Sequence, residues 1–107
     1  MSLSPELRAQ IKKDIQENKV MLYMKGTPQS PMCGFSARVV QILDHHGVKY
    51  GAKNILENEA LREGIREFTD WPTIPQIFIG GEFVGGCDIV TELAQNGELA
   101  KMLEQVK

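Results

Sequence analysis

Two residues three positions apart, Cys33 and Ser36, are the first candidates for chemistry in this sequence. They lie in the stretch TPQSPMCGFSARVV, in which a Cys-x-x-Ser follows a proline-containing loop and opens a run with helical spacing. A single thiol can attack a disulfide, bind a metal or simply fill space in a core. A serine hydroxyl forms no disulfide and is a far weaker nucleophile at neutral pH. Residues elsewhere in the sequence are therefore needed to decide which of these roles Cys33 has.

The position of Cys33 favours the thiolate form of its side chain. A thiol at a helix N-terminus lies close to backbone N–H groups that lack a helical partner and to the positive end of the helix dipole. Lys25, at the end of the preceding predicted strand, adds a second positive charge. The thiolate is the form that attacks disulfides and binds metals. The alternative, a buried structural cysteine, is disfavoured because a loop with prolines and a glycine is an unusual place for core packing.

Composition and charge exclude several classes of function. The chain has 107 residues, 42% hydrophobic and 24% charged, which is typical of one globular domain. A net charge of −2 and scattered Lys and Arg argue against nucleic-acid binding. We expect no membrane association, because no apolar run approaches the roughly 20 residues that cross a bilayer, and the N-terminus lacks a signal or transit pattern. Two cysteines are too few for a disulfide scaffold, which favours a reducing compartment.

Hydrophobic patterning predicts the elements that position Cys33. Ser4-Pro5 starts a helix. A buried strand is predicted over 20–24, a helix over 33–46, a weaker strand over 48–55, a helix over 57–68, strands over 75–79 and 82–85, and helices over 88–95 and 98–105. The order αβαβαββαα, with no internal repeat or linker, predicts one α/β domain over residues 1–107.

The motifs KGTP, CGFS, WPTIPQ and GGCDI follow one another in this order, and together they make the sequence resemble the monothiol, CGFS-type glutaredoxins. The resemblance extends from about Val20 to Val106. It implies a single glutaredoxin domain with a thioredoxin-like fold, in which helices flank a central four-stranded mixed sheet. The predicted first helix is then an extra N-terminal helix. The resemblance also implies a cis bond between Ile74 and Pro75.

The resemblance assigns site residues by position. Cys33 is implied as the active thiol and as the protein ligand of a [2Fe–2S] cluster. The implied glutathione-binding residues are Lys25 beside the thiolate, Arg62 at the glycine carboxylate, the backbone of Ile74 at the cysteinyl part, and Cys87 and Asp88 at the γ-glutamyl end. Glutathione carries two carboxylates and one amine, which two cations and an acid beside free N–H groups complement.

Each of these residues also has a structural interpretation. Lys25 fits a solvated lysine at a strand end, and Arg62 fits a weak ion pair with a neighbouring glutamate on an exposed helix face. Asp88 fits a helix N-cap, a position compatible with ligand binding. Cys87 either packs at the start of its helix or serves as a partner thiol for Cys33. We favour packing, and a disulfide would require Cα atoms within about 7 Å.

The implied function is an iron–sulfur carrier that binds glutathione and passes on a [2Fe–2S] cluster, with weak or no disulfide reductase activity. The alternative is a glutathione-dependent disulfide oxidoreductase that acts by a monothiol mechanism, so enzymatic activity stays open. A third hypothesis is a regulatory module whose thiol senses oxidants. Without a second thiol at Ser36, a mixed disulfide on Cys33 has to be resolved by a second glutathione, which favours the carrier.

Ligand counting predicts the assembly of the carrier. A [2Fe–2S] cluster takes four ligands, usually thiolates, and Cys33 is the one thiol of this chain in a setting that favours a thiolate. We therefore expect a cluster-bound homodimer with two glutathiones and a mostly monomeric apo form. A BolA-like protein in place of one protomer, and apo iron–sulfur proteins as acceptors, are further partners that the resemblance allows. The expected location is the cytoplasm, with an organelle matrix as the alternative.

Overall fold

The computed structural model describes residues 3–106, and its secondary structure follows the predicted order with a short hairpin and a 3₁₀ turn added. In chain order the elements are α1 (Pro5–Glu17), β1 (Val20–Met24), β2 (Gly26–Thr27), β3 (Ser30–Pro31), α2 (Gly34–His45), β4 (Gly51–Asn54), the 3₁₀ turn (Ile55–Glu57), α3 (Glu59–Thr69), β5 (Gln76–Ile79), β6 (Glu82–Gly85), α4 (Cys87–Gln95) and α5 (Glu98–Gln105).

Strand β1 is an inner strand of a four-stranded mixed sheet with the order β4-β1-β5-β6. It pairs in parallel with β4 and antiparallel with β5, and β5 pairs antiparallel with β6. All five residues of β1 are buried, because the sheet is covered on both faces. The predicted sheet is therefore confirmed.

Two hydrophobic cores, one on each face of the sheet, join it to the helices. Side chains of β1 alternate between the cores, with Leu22 in one and Tyr23 in the other. The first core packs against α2, α4 and α5, and the second packs against α1 and α3. The N-terminal helix thus completes the layer that α3 begins. Within residues 3–106, none of the helices is both long and apolar enough to cross a membrane.

The predicted helix boundaries rest on capping signals that the structure contains. The Ser4 hydroxyl accepts a hydrogen bond from the Leu7 N–H at 3.1 Å, and Pro5 occupies the first helical position of α1. Beyond the end of α2, Gly47 adopts a left-handed conformation with φ 66°, which favours glycine. The start of α1 agrees with the sequence prediction, and α2 ends at His45, one residue before the predicted end.

Two segments differ from the sequence prediction. The loop before Cys33 contains the hairpin of β2 and β3, whose two-residue strands are too short for a periodic pattern to indicate. The strand predicted over 48–55 is restricted to β4, the segment that pairs with β1. The Asn54 side chain then accepts the Leu56 N–H at 3.0 Å and starts the 3₁₀ turn, which ends the strand.

Asp14, on α1, is a buried carboxylate that connects this helix to the sheet. It accepts hydrogen bonds from the Tyr23 hydroxyl at 3.0 Å and from the Gln10 side chain at 2.9 Å. The Lys53 ammonium on β4 lies 2.8 Å from the same carboxylate. Burial, and then the charge of Asp14, raise the pKa of Tyr23. The phenol therefore stays protonated and remains a donor at physiological pH.

We expect Asp14→Ala to lower the free energy of unfolding by about 2 kcal/mol, because Tyr23 and Lys53 lose a partner in a mostly buried setting. Tyr23→Phe removes one hydrogen bond and is expected to cost about 1 kcal/mol. Urea denaturation followed by far-UV circular dichroism measures both losses. Glu17→Ala, at an exposed position of the same helix, is the control. A loss for Asp14→Ala no larger than that of the control would contradict this role.

Candidate functional site

Cys33 is the N-cap residue of α2, with an extended backbone (φ −153°, ψ 137°) and a partly exposed thiol. The sulfur makes no side-chain capping hydrogen bond. The nearby groups still act on it: the backbone N–H of Ser36 lowers the pKa of the Cys33 thiol most, burial opposes this, and the Phe35 N–H, the Lys25 charge and the Ser36 hydroxyl lower it further. The net shift of the pKa is downward, so the helix start contributes more to the thiolate than Lys25 does.

Lys25 directly follows β1, and hydrogen bonds hold its backbone beside Cys33. Its N–H donates to the Ser36 hydroxyl at 3.1 Å, and its carbonyl accepts the Met32 N–H at 2.9 Å. The next N–H, that of Gly26, donates to the Asn54 side chain at 2.9 Å. The end of β1 is therefore fixed to α2, to the hairpin and to β4.

Gly26 allows the hairpin to turn back tightly towards α2. Its φ is +91°, and a Cβ at this position would lie 2.5 Å from both the Met32 nitrogen and the Ser30 carbonyl oxygen. Both the conformation and the close approach require glycine here. The glycine of the KGTP motif thus has a local steric explanation.

A cavity of about 490 Å³ beside Cys33 brings together all six residues that the resemblance assigns to a site. They come from five segments, namely the end of β1, the start of α2, helix α3, the loop before β5 and the start of α4. The residues are Lys25, Cys33, Arg62, Ile74, Cys87 and Asp88. Phe35, Trp71 and Ile89 are among the apolar side chains that complete the lining.

Sequence reasoning missed a further cation of this cavity, Arg66. Arg62 and Arg66 are four residues apart on α3 and so lie on one helix face, a spacing that could have revealed the second arginine. Glu63 lies 3.3 Å from the Arg66 guanidinium. Within residues 3–106, Arg62 forms no ion pair. The ion pair with a neighbouring glutamate, which was the structural alternative for Arg62, is therefore not found among these residues.

Gln76 holds the loop before β5 against the rest of the fold, and sequence reasoning missed it. Its side chain is fully buried, and its amide group donates to the carbonyls of Trp71 at 3.0 Å and Thr73 at 3.1 Å. Its side-chain oxygen accepts the Thr69 hydroxyl at 2.9 Å. Both N–H donors and the oxygen of this amide are engaged in hydrogen bonds, and two of these bonds hold residues 71–75 in their conformation.

Helix α4 starts at the cavity with Gly86 as its N-cap. Cys87 is the first helical residue and Asp88 lies in the first turn, so the predicted N-cap role of Asp88 is wrong. A glycine cap has no side chain to accept hydrogen bonds from the first N–H groups of the helix. Those N–H groups are therefore available to an anion.

The start of α4 approaches the loop before β5 closely. A Cβ on Gly86 would lie 3.1 Å from the Pro75 carbonyl oxygen and 3.4 Å from the Trp71 indole nitrogen. The Ile74–Pro75 peptide bond is cis, which confirms the prediction. The small residue at position 86 thus lets two walls of the cavity meet.

Cys87 is a free, partly buried thiol, as is Cys33. It packs against the core beneath α4, and its sulfur lies 4.0 Å from the Thr91 hydroxyl. This placement agrees with packing as its structural role. The same residue also lines the cavity.

These features define a class of protein: a mixed sheet, a thiol at the start of the helix after the first strand, and a cis-proline loop beside the thiol are the thioredoxin-like arrangement. The sequence profile described as Glutaredoxin matches residues 20–84 of this chain. The chain is also 49% identical over 110 residues to Monothiol glutaredoxin-5, mitochondrial, of Saccharomyces cerevisiae, in an alignment that covers 100% of this chain and 73% of the yeast protein.

Solved structures give the same result. The solution structure of reduced poplar apo GrxS14 is 48% identical and matches with a TM-score of 0.87, over 99% of this chain and 97% of the poplar chain. The crystal structure of a buckwheat glutaredoxin–glutathione complex is 26% identical and matches with a TM-score of 0.84, over 94% of this chain and 90% of that chain. This chain belongs to the glutaredoxin family and, within it, to the monothiol glutaredoxins.

Gln76→Leu is expected to loosen the loop of residues 71–75 while the secondary structure is retained, because the carbonyls of Trp71 and Thr73 lose the amide that donates to them. Trp71 is the single tryptophan of the chain and reports on this loop directly. We expect a red-shifted Trp71 emission and at least about a twofold increase in acrylamide quenching, with an unchanged far-UV spectrum. Gln41→Leu, at an exposed position of α2, is the matched control. Identical quenching of both variants would contradict this role of Gln76.

Proposed function

We propose that this chain binds glutathione in the cavity beside Cys33 and carries a [2Fe–2S] cluster for transfer to other proteins. The observation that carries the proposal is the convergence on one cavity of a thiol with a lowered pKa, the cations Lys25 and Arg62, and the uncapped start of α4. The related buckwheat glutaredoxin was solved in complex with glutathione, which supports this choice of ligand.

The chemistry of the cavity fits the groups of glutathione. Arg62 would bind the glycine carboxylate, and the backbone of Ile74 would pair with the cysteinyl amide. The N–H groups at the start of α4 would bind the γ-glutamyl carboxylate. The Asp88 carboxylate, in the first turn of α4, would accept hydrogen bonds from the γ-glutamyl ammonium group. The Lys25 ammonium would balance the negative charge of the Cys33 and glutathione thiolates. A volume of about 490 Å³ is within the usual range for small-molecule sites, roughly 300–1,000 Å³.

The cluster would be the cargo of a dimer. It takes four ligands, and one chain supplies Cys33, because Cys87 packs against the core beneath α4. Two protomers and two glutathiones would supply the four thiolates. The apolar side chains of Met32 and Phe35, which are 67% and 62% exposed, flank Cys33 and would contact the second protomer. Because half of the ligands are held non-covalently, the cluster would be readily transferred.

A glutathione-dependent disulfide oxidoreductase would use the same thiol. The Cys33 thiolate would attack a glutathione mixed disulfide and release the substrate thiol, and a second glutathione thiolate would then release Cys33 and form glutathione disulfide. Position 36 offers a buried hydroxyl and no resolving thiol, so this turnover would be slow. An oxidant sensor would need Cys33 but neither Lys25 nor Arg62.

The proposed compartment is a reducing one, because the chain has two free thiols and one of them has a lowered pKa. The cytoplasm and an organelle matrix both meet this condition, and the yeast relative is described as mitochondrial. A BolA-like protein and apo iron–sulfur proteins remain the proposed partners of the loaded form.

Anaerobic reconstitution with iron, sulfide and glutathione is expected to give a visible absorption band on a species of dimer size. Cys33→Ser is expected to abolish the band, and Lys25→Gln to reduce the cluster retained after gel filtration several-fold. Lys12→Gln, at an exposed position of α1, is the matched control and should behave as the unaltered chain. Size-exclusion chromatography with absorbance at both protein and cluster wavelengths makes the measurement. A cluster that persists on a monomer, or survives Cys33→Ser, would show that the ligand assignment is wrong.

Ser36→Cys is expected to raise glutathione-dependent reductase activity several-fold and to reduce cluster retention. The new thiol lies within the first turn of α2 and can form a disulfide with Cys33. Reduction of a glutathionylated peptide at fixed glutathione concentration gives the rate. Ser36→Ala removes the hydroxyl without adding a thiol and serves as the control. If Ser36→Cys were no faster than Ser36→Ala, the missing second thiol would not limit reductase activity.

A further inference from the structure

Among the buried side-chain nitrogen and oxygen atoms of residues 3–106, the indole nitrogen of Trp71 is the one without a hydrogen-bond partner. An indole N–H is a donor only, so no shift of its proton can satisfy it. A buried donor without a partner is unfavourable, and such a group in a folded protein requires an explanation. The position of Trp71 at the cavity beside Cys33 indicates where a partner would come from.

Contacts on three sides hold Trp71 in place. Its backbone N–H donates to the Arg66 carbonyl at 3.2 Å, and its own carbonyl accepts the Gln76 amide at 3.0 Å. The ring packs edge-on against Phe83, with ring centroids 5.7 Å apart and an angle of 63° between the planes. The indole therefore cannot turn freely in search of an acceptor, and an acceptor has to come to it.

The unpaired indole N–H lies beside the start of α4. A Cβ on Gly86, the N-cap residue of this helix, would lie 3.4 Å from the indole nitrogen of Trp71. Gly86 has no side chain that could accept a hydrogen bond from the indole or from the first N–H groups of α4. Trp71, Gly86 and Cys87 all line the cavity. Donors from two elements thus meet at one corner of the cavity, where the described residues supply the indole with no acceptor.

A carboxylate is the ligand group that suits this corner. It is an acceptor only, and its two oxygens can accept several hydrogen bonds at once. The start of a helix already favours a negative charge through its free N–H groups and its dipole. The indole of Trp71 adds a donor from outside the helix, so a carboxylate placed here would have partners on both walls of the cavity.

We propose that the Trp71 indole N–H donates to the ligand carboxylate that binds at the start of α4, and that it makes this corner selective for ligands with a carboxylate there. This role of Trp71 rests on the proposed function, in which the group is the γ-glutamyl carboxylate of glutathione. The indole nitrogen is buried beside Gly86 in the free chain. The loop of residues 71–75 and the start of α4 therefore separate slightly when the bond forms.

The test is an NMR titration of the ¹⁵N-labelled chain, in which the single tryptophan gives a single indole resonance. Reduced glutathione is compared, without oxygen or iron, with γ-aminobutyryl-cysteinylglycine, which lacks only the γ-glutamyl carboxylate. Glutathione is expected to move the indole proton downfield, with the same saturation as the amide of Phe35. The analogue, at saturation of the Phe35 amide, is expected to leave the indole proton close to its position in the free chain.

Trp71→Phe keeps an aromatic ring against Phe83 and removes the donor. We expect it to weaken glutathione binding by about fivefold and binding of the analogue by less than about twofold, as measured by isothermal titration calorimetry. A residue that only shaped the cavity would change both affinities by the same factor. Tyr50→Phe, which removes a hydroxyl bonded to Asp44 away from the cavity, is the matched control and should leave both affinities unchanged.

Two results would overturn the role of Trp71 and leave glutathione binding intact. One is an indole proton that keeps its free position while the Phe35 amide saturates with glutathione, or that moves equally with the analogue. The other is an equal loss of affinity for both ligands in Trp71→Phe. If glutathione moved neither the indole nor the Phe35 amide, the proposed ligand itself would be wrong and the role of Trp71 would fall with it. The comparison of the two ligands uses the unaltered chain, so it decides the question even if Trp71→Phe does not fold.

Discussion

The backbone N–H groups in the first turn of α2 have no partner within the helix, and Cys33 at the N-cap position places its sulfur close to them. A sulfur at that place is stabilised as a thiolate by N–H groups that the helix itself cannot use. The arrangement requires the preceding chain to arrive at a set position, which the inner strand β1 provides because both of its faces are buried. Lys25 then follows at the end of β1, on the same side of the sheet as the start of α2.

Helix starts are used in two ways in this fold. The helices α1 and α3 are capped by side chains, from Ser4 and Asn58 respectively. The two helices that begin at the cavity, α2 and α4, lack a side-chain cap and have Cys33 and Gly86 at the cap position. Helix α5 has Gly97 at its cap position, and the Asn96 side chain accepts the N–H of Glu98 at 2.9 Å. At the cavity the uncapped N–H groups lie beside cations, so the site has a positive potential that suits thiolates and carboxylates.

The sequence predicted the features that depend on local patterns. Strand β1 is a continuous apolar run, and the start of α1 has its Ser-Pro signal, so both are recognisable without tertiary information. The six residues that line the cavity could be named in advance because the motifs KGTP, CGFS, WPTIPQ and GGCDI resemble one family. Arg66 had a usable signal in its four-residue spacing from Arg62, and the signal was not used.

Other features depend on contacts that no local pattern encodes. The hydroxyl of Ser36 and the amide of Gln76 have roles set by hydrogen bonds to segments that only the folded chain brings near. The N-cap of α4 was assigned to Asp88 because an acid is a good cap, whereas Gly86 takes this place where the helix meets the loop before β5. Sequence reasoning was thus weakest where a residue's role depends on a partner in a distant segment of the chain.

Binding of glutathione to this cavity is the central claim, and an NMR titration of the ¹⁵N-labelled chain with reduced glutathione tests it most directly. We expect saturable shifts for the amides of Lys25, Phe35, Ile74 and Asp88. We expect no comparable shifts around Lys19 and Val48, which line a separate cavity near the C-terminal end of α5. Shifts that do not saturate, or that concentrate at Lys19 and Val48, would show that glutathione does not bind beside Cys33.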